Sequence, residues 1–186
     1  MFTSLIPTTS QVPNMGIQPK TGGWFLLVGL HSLNATLLTL ISRLGEGAPV
    51  RVLDGGNRFN AYNVARQAGG RPEVLNRIMV SRAFTCYQVL SLLESTPASA
   101  SPFVVLDLLN TFYDESVQAA ERKRLLRGCI ANLHRLEQRS GGAVSVHPPA
   151  VPSPAAVEML EMLQQAAMDT YYVQPVPATP EPMRLF

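Results

Sequence analysis

The chain has 186 residues, 46% of them apolar and 15% charged, with a net charge of +2. That length suits one domain with a substantial core and is short for two. No apolar run reaches the roughly 18 residues of a membrane helix, and the start, MFTSLIPTTSQVPNMGIQPK, lacks the basic lead and long apolar segment of a secretion signal; the expectation is a cytoplasmic protein with no membrane partner.

Residues 1–21 hold three prolines without periodicity and are expected to form a flexible arm. WFLLVG, ending in Gly29, has the short continuous apolar run of a strand buried on both faces. NATLLTLISRLGEG follows as a helix, then VRVLD as a strand and FNAYNVARQAGG as a helix that stops at glycine. RIMVS and PFVVLDLL supply two more strands around the helix CYQVLSLLES, and the proline suits a strand start. The longest helix is expected over Ser116–Arg139, where Leu126, Cys129, Ile130, Leu133 and Leu136 keep to one face. AVSVH makes a fifth strand.

Eight of the 15 prolines lie in the last 39 residues. Between them AAVEMLEMLQQAAMD has helical spacing and TYYVQ suits an edge strand, with a Pro-rich tail over 174–186. Strands alternating with helices predict an α/β domain over 22–173, its mostly parallel central sheet covered by helices on both faces.

Cys86 and Cys129 fall on apolar helix faces and are expected as buried thiols. His31, His134 and His147 have no metal-ligand spacing, so no metal site is expected. Residues 1–139 carry 14 Arg or Lys against 9 Asp or Glu, a balance of +5, whereas residues 140–186 balance at −3. Of the 15 basic residues 13 are arginine, which suits phosphate and carboxylate recognition; codon usage explains the same bias equally well.

The first strand end reads GLHSLNATLL. A phosphate loop needs G-x-x-x-x-G-K-[ST] between strand and helix. Gly29 and Thr36 have the required spacing, but Asn34 stands at the second glycine and Ala35 at the lysine. Without the glycine the backbone wraps phosphate poorly, and without the lysine the outer phosphates lose their point charge.

Five segments together resemble the RecA/RadA-like recombinase superfamily over about residues 22–150, beginning with this phosphate loop. RVLDGGNRFNAYNVARQAG is similar to the family's second strand and helix, with Asp54 and Phe59 matching and Gly56 where the family has a catalytic glutamate. RIMVSRAFTCYQVLSLLE carries an Arg-Ala-aromatic turn in Arg82, Ala83 and Phe84. PFVVLDLLNTFYDE resembles the aspartate-bearing strand, with Asp107 at the magnesium position. AERKRLLRGCIANLHRLEQRSGGAVSVHPP resembles the long helix and fifth strand, although His147 and Pro148 replace the family's Asn-Gln.

The resemblance implies a RecA-like P-loop fold with a dismantled ATP site, hence a pseudo-ATPase that is not an enzyme and holds no cofactor. Gly29, Thr36 and Asp107 would be what remains of a nucleotide site. The alternative implied by the same residues is an atypical ATP- and magnesium-binding domain using Thr36 and Asp107; a third reading is a purely structural oligomer subunit.

Arg122, Lys123, Arg124 and Arg127 cluster on the long helix and, with Arg82, form a candidate nucleic-acid face. The opposing reading is an ordinary solvated helix face. The last residues, EPMRLF, are similar at Leu185 and Phe186 to terminal peptides that dock on the bacterial sliding clamp, though the glutamine of those peptides is missing. The function expected from these features is a non-catalytic RecA-like accessory protein of DNA repair or recombination. It would work by contacts with a RecA-type recombinase or repair polymerase complex, as a homo- or hetero-oligomer, with weak DNA binding.

Overall fold

A computed structural model describes residues 22–29 and 32–173. The expected arm over 1–21, His31 and the tail with Leu185 and Phe186 lie outside the described residues.

Among the described residues six strands form one sheet, β1 (Trp24–Gly29), β2 (Val50–Asp54), β3 (Ile78–Arg82), β4 (Phe103–Leu106), β5 (Gly142–Val146) and β6 (Asp169–Val173), in the order β3-β2-β4-β5-β1-β6. Every pairing is parallel. The α/β class, the two-faced cover and the edge position of the last strand match expectation. The helices are α1 (Ser32–Gly47), α2 (Ala61–Gln67), α3 (Pro72–Leu75), α4 (Cys86–Ser95), α5 (Ala119–Glu137) and α6 (Pro154–Ala166).

Strand alternation divides the core in two. On one face Leu27, Val50, Val52, Val104, Leu106 and Ala143 meet Leu33, Leu37, Leu38 and Ile41 of α1, Val64 of α2 and Leu75 of α3. On the other, Trp24, Leu26, Val28, Leu53, Phe103, Val105, Val144 and Val146 meet α4, α5 and α6. Fully burying one such side chain contributes about 1.5–3 kcal/mol, so both helix layers are held chiefly by their apolar faces. Side chains then start the shorter helices: Asn60 accepts from the Asn63 N–H, Thr85 from Gln88 and Ser153 from Ala156.

The structure corrects several boundaries. PFVVLDLL does not continue as strand to Leu109: Asp107 takes φ +52 and turns the chain out of the sheet, and Leu108, Leu109 and Phe112 pack beneath α4 and α5. α5 is shorter than Ser116–Arg139, and the expected second helix is a seven-residue α2 followed by the separate turn α3, where Pro72 at the first position suits a new start. Helix α1 begins at Ser32, two residues before the expected Asn34. Among the described residues no helix is long and apolar enough to cross a membrane.

Candidate functional site

Ligands of open parallel sheets bind beyond the carboxyl ends of the strands. Here those ends gather five charged or titratable side chains: Asp54 from β2, Arg58 from the loop after it, Arg82 from β3, Asp107 after β4 and His147 after β5. Asp54 is fully buried. Its two oxygens accept the Arg58 and Phe59 N–H groups at 2.9 Å each, and Arg82 Nε stands 3.4 Å away. The carboxylate thereby fixes the loop that carries Arg58.

Asp107 is also fully buried. Its N–H donates to Ser145 Oγ at 2.9 Å, Oδ2 accepts from Arg58 Nε at 2.9 Å, and Oδ1 accepts from the His147 N–H at 3.1 Å. The His147 ring approaches with Nδ1 3.3 Å from Oδ2, outside hydrogen-bond geometry. Burial by itself would raise the Asp107 pKa; the His147 ring and N–H and the Arg58 guanidinium outweigh it and hold the carboxyl below its usual range. Nearby Tyr113 is pushed up, by burial first and then by the Asp107 charge.

Gly56 completes this arrangement. A Cβ there would stand 2.4 Å from Asp107 Cβ and 2.7 Å from its Oδ2. The position that the recombinase resemblance assigns to a catalytic glutamate is thus occupied in space by the Asp107 side chain.

The second half of the expected phosphate loop lies within α1. Because α1 starts at Ser32, only Leu30 and His31 separate it from β1, and Leu33, Asn34, Ala35 and Thr36 are already helical. Gly29 has its own structural cause: a Cβ there would lie 2.7 Å from the Val173 carbonyl oxygen of β6. Thr36 sits half-buried one turn into α1. Gly29, Thr36 and Asp107 therefore share one end of the sheet, but Asp107 is turned to Arg58 and His147.

The expected basic face on α5 divides. Arg122 corrects that expectation, being buried with Nη1 donating to the Phe112 carbonyl at 2.9 Å. Lys123 pairs with Glu158 of α6, and Arg124 grips Glu121 through two 2.7 Å hydrogen bonds. Arg127 is exposed and, among the described residues, has no acidic partner. Arg82 is spent partly on Asp54 and on the Phe59 carbonyl, 3.1 Å from Nη2.

Other arginines do work that residue spacing did not reveal. Arg77 donates to the Glu46 carbonyl at 2.7 Å at the end of α1, where Arg71 pairs with the Glu46 carboxylate. Arg135 donates to the carbonyls of Leu93, Glu94 and Thr96 at 2.8, 3.3 and 2.9 Å, closing the end of α4. These are the unsatisfied carbonyls of a helix terminus, favoured partners for a cation. Five donors in a fixed fork let one arginine serve several at once. Arg58 was missed for the same reason, since nothing in its spacing announces a partner 49 residues away.

Cys86 and Cys129 are buried free thiols, as expected. Burial pushes both pKa values up, that of Cys129 to about 12. Among the described residues no group of His, Cys, Asp or Glu is placed to hold a metal ion. Comparison of the sequence with protein-family models and with curated proteins finds no match.

Proposed function

We propose that this chain is a RecA-like pseudo-ATPase that serves DNA repair or recombination as a non-catalytic accessory protein, working through protein contacts. One observation carries the reading: the charged groups at the ligand-binding end of the sheet are paired with each other. Asp107 is closed by Arg58 and His147, Asp54 by backbone N–H groups and Arg82, and the space beside Gly56 is filled by Asp107. A catalytic carboxylate or a magnesium ligand needs open coordination positions, and these carboxylates keep none toward solvent.

Support for protein contacts comes from the surface around β3. Met79 and Val80 of β3 and Phe84 just after it are exposed, as is Arg82. Aromatic residues, methionine and arginine are the types enriched in protein interfaces. Weak DNA binding is a lesser part of the proposal, because three of the four cations in the expected basic cluster, Arg122, Lys123 and Arg124, are buried or paired with acids.

Two titrations on the full chain test this. Calorimetry with ATP and magnesium is expected to show no binding, while an immobilised sample retains a purified RecA-type recombinase or repair-polymerase subunit at low salt. Magnesium-dependent ATP binding that disappears in Asp107→Ala would establish the atypical nucleotide domain instead. Failure to retain either protein, with no DNA binding at low salt, would remove the accessory role.

A further inference from the structure

We propose that the β6 edge of the sheet and the adjoining flank of α6 form a docking surface for a partner protein. The occupant is an extended segment that carries lysine or arginine and adds to the sheet beside β6. This contact presupposes that the chain works through protein contacts, as proposed above. Among the described residues β6 pairs only with β1. The Met168 N–H donates to the Trp24 carbonyl at 3.0 Å, so in the register of this pairing Thr170 and Tyr172 also turn their N–H and C=O groups toward β1. Those of Asp169 and Tyr171 point off the sheet. β6, with the sequence DTYYV, has no proline and pairs in unbroken register. An extended peptide gains affinity from such backbone groups and specificity from its alternate side chains.

The helix beside this edge supplies side chains. On α6, Glu158 pairs with Lys123 of α5, whereas Gln164 donates to the Tyr172 hydroxyl. One flank of the helix is thereby turned to α5 and the other to β6. Val157, Glu161 and Gln164 stand at intervals of four and three, which places them in one stripe on the β6 flank. Val157 and Tyr172 are 44% and 58% exposed, and Met168, directly before β6, is 54% exposed. Apolar surface that an added strand would cover therefore borders the open edge.

Charge selects the occupant. Residues 140–173 carry Glu158, Glu161 and Asp169, all exposed, and no lysine or arginine, and β1 carries no charge. Glu158 is spent on Lys123, and Asp169 accepts from the Tyr171 hydroxyl at 3.4 Å. Among the described residues neither Glu161 nor Asp169 has a cationic partner. Asp169 alternates with Tyr171 and Val173 on the α1 side of the sheet, and Glu161 stands on the α6 side. A segment with basic residues on both of its sides meets one acid on each. Nucleic acid would be repelled by both acids, and two β6 edges would set acid beside acid. A cationic, partly apolar polypeptide is the class that fits.

Selection of a displayed library of random peptides, about twelve residues long, on the full chain tests it. The expected result is enrichment of lysine and arginine among β-branched and aromatic residues, with aspartate, glutamate and proline depleted. A synthetic copy of the leading peptide should bind about tenfold more weakly at roughly 500 mM salt than at roughly 50 mM, through screening. Glu161→Lys/Asp169→Lys reverses the charge at exposed sites, and Asp169→Pro removes an outward donor without touching the β1 pairing. Each should weaken the peptide at least about tenfold with an unchanged circular dichroism spectrum. The charge variant needs no backbone change, so it tests the contact even where the proline variant fails to fold. No enrichment, enrichment of acidic peptides, or binding undiminished by charge reversal overturns the proposal. Self-association that blocks the peptide and is lost in the charge variant assigns the edge to a second copy and overturns it too. Retention of a recombinase or repair-polymerase subunit equally by wild type and charge variant removes this surface and leaves the accessory role standing. Peptide capture sensitive to charge reversal, without retention of either protein, keeps the surface and removes the role.

Discussion

Replacing Gly56 by alanine adds one methyl group where the space is already taken. The new Cβ would stand 2.4 Å from Asp107 Cβ, 2.7 Å from Oδ2 and 2.9 Å from Cγ. Asp107 cannot easily retreat, because Arg58, Ser145 and the His147 N–H hold it from three directions at 2.9, 2.9 and 3.1 Å. Overpacking of a fixed site costs about 1–3 kcal/mol. A central loss of about 2 kcal/mol lowers the melting temperature of a domain this size by about 4–8 °C.

The control is Gly47→Ala at the end of α1. No atom lies within 4 Å of a Cβ there, so it should be neutral or stabilising by up to about 1 kcal/mol. A cycle isolates the cause. Asp107→Gly removes all three clashing atoms and suits the backbone, since φ at 107 is +52. In that background Gly56→Ala should cost less than about 0.5 kcal/mol, giving a coupling above about 1 kcal/mol. Urea melts of the four proteins supply the numbers. Equal losses from Gly56→Ala in both backgrounds, or a loss no larger than that of Gly47→Ala, would refute the account of this site. Gly56→Glu should likewise destabilise and bring no ATP hydrolysis.

Asp107→Asn should destabilise the protein at neutral pH by about 1.5–3 kcal/mol through the lost charge-assisted hydrogen bonds. Since the folded pKa of Asp107 is lowered, the wild-type advantage is complete above the unfolded value near 4 and fades as pH falls through the folded one; melts from pH 7 to pH 3 should converge. Arg135→Ala should cost about 1–3 kcal/mol by opening the end of α4, measured by urea unfolding, with Arg135→Lys rescuing only part because lysine has no counterpart to the Nε–H that donates to Asn132. Arg124→Ala on the same long helix should leave stability nearly unchanged, its pair with Glu121 being exposed, whereas Arg122→Ala, by breaking a buried bond to Phe112, should cost more. Cys86 and Cys129 should resist a water-soluble disulfide reagent in the native state, given their burial and raised pKa values, and react together on unfolding; fast native labelling would contradict the packing.

The class of fold was legible because its signal is local. A continuous apolar run such as FVVL marks a strand buried on both faces, and the face of α5 repeats every 3.6 residues, so both signals lie within one short stretch of sequence. Boundaries were less so where a single residue changed the backbone: the turn at Asp107 ended β4 early and buried Leu108 and Leu109 in the helix-covered core instead. At the site, the recombinase resemblance singles out Asp54 and Asp107 and marks His147 only as a departure from its pattern. It singles out neither Arg58 nor the arginines that close helix ends, since their partners lie 31 to 49 residues away and only folding brings them together.

By itself, then, the amino-acid order determined an α/β domain of alternating strands and helices, with buried thiols. The tertiary structure decided the strand order, the pairing of Asp54 and Asp107 at the strand ends, and the fate of the basic residues. The physical reason is one of range. Hydrophobic periodicity acts over a few residues and survives in any window of sequence, whereas a guanidinium can serve as binding group, salt bridge or helix cap. Which of these it becomes depends on the carbonyls and carboxylates that distant segments place within about 3 Å.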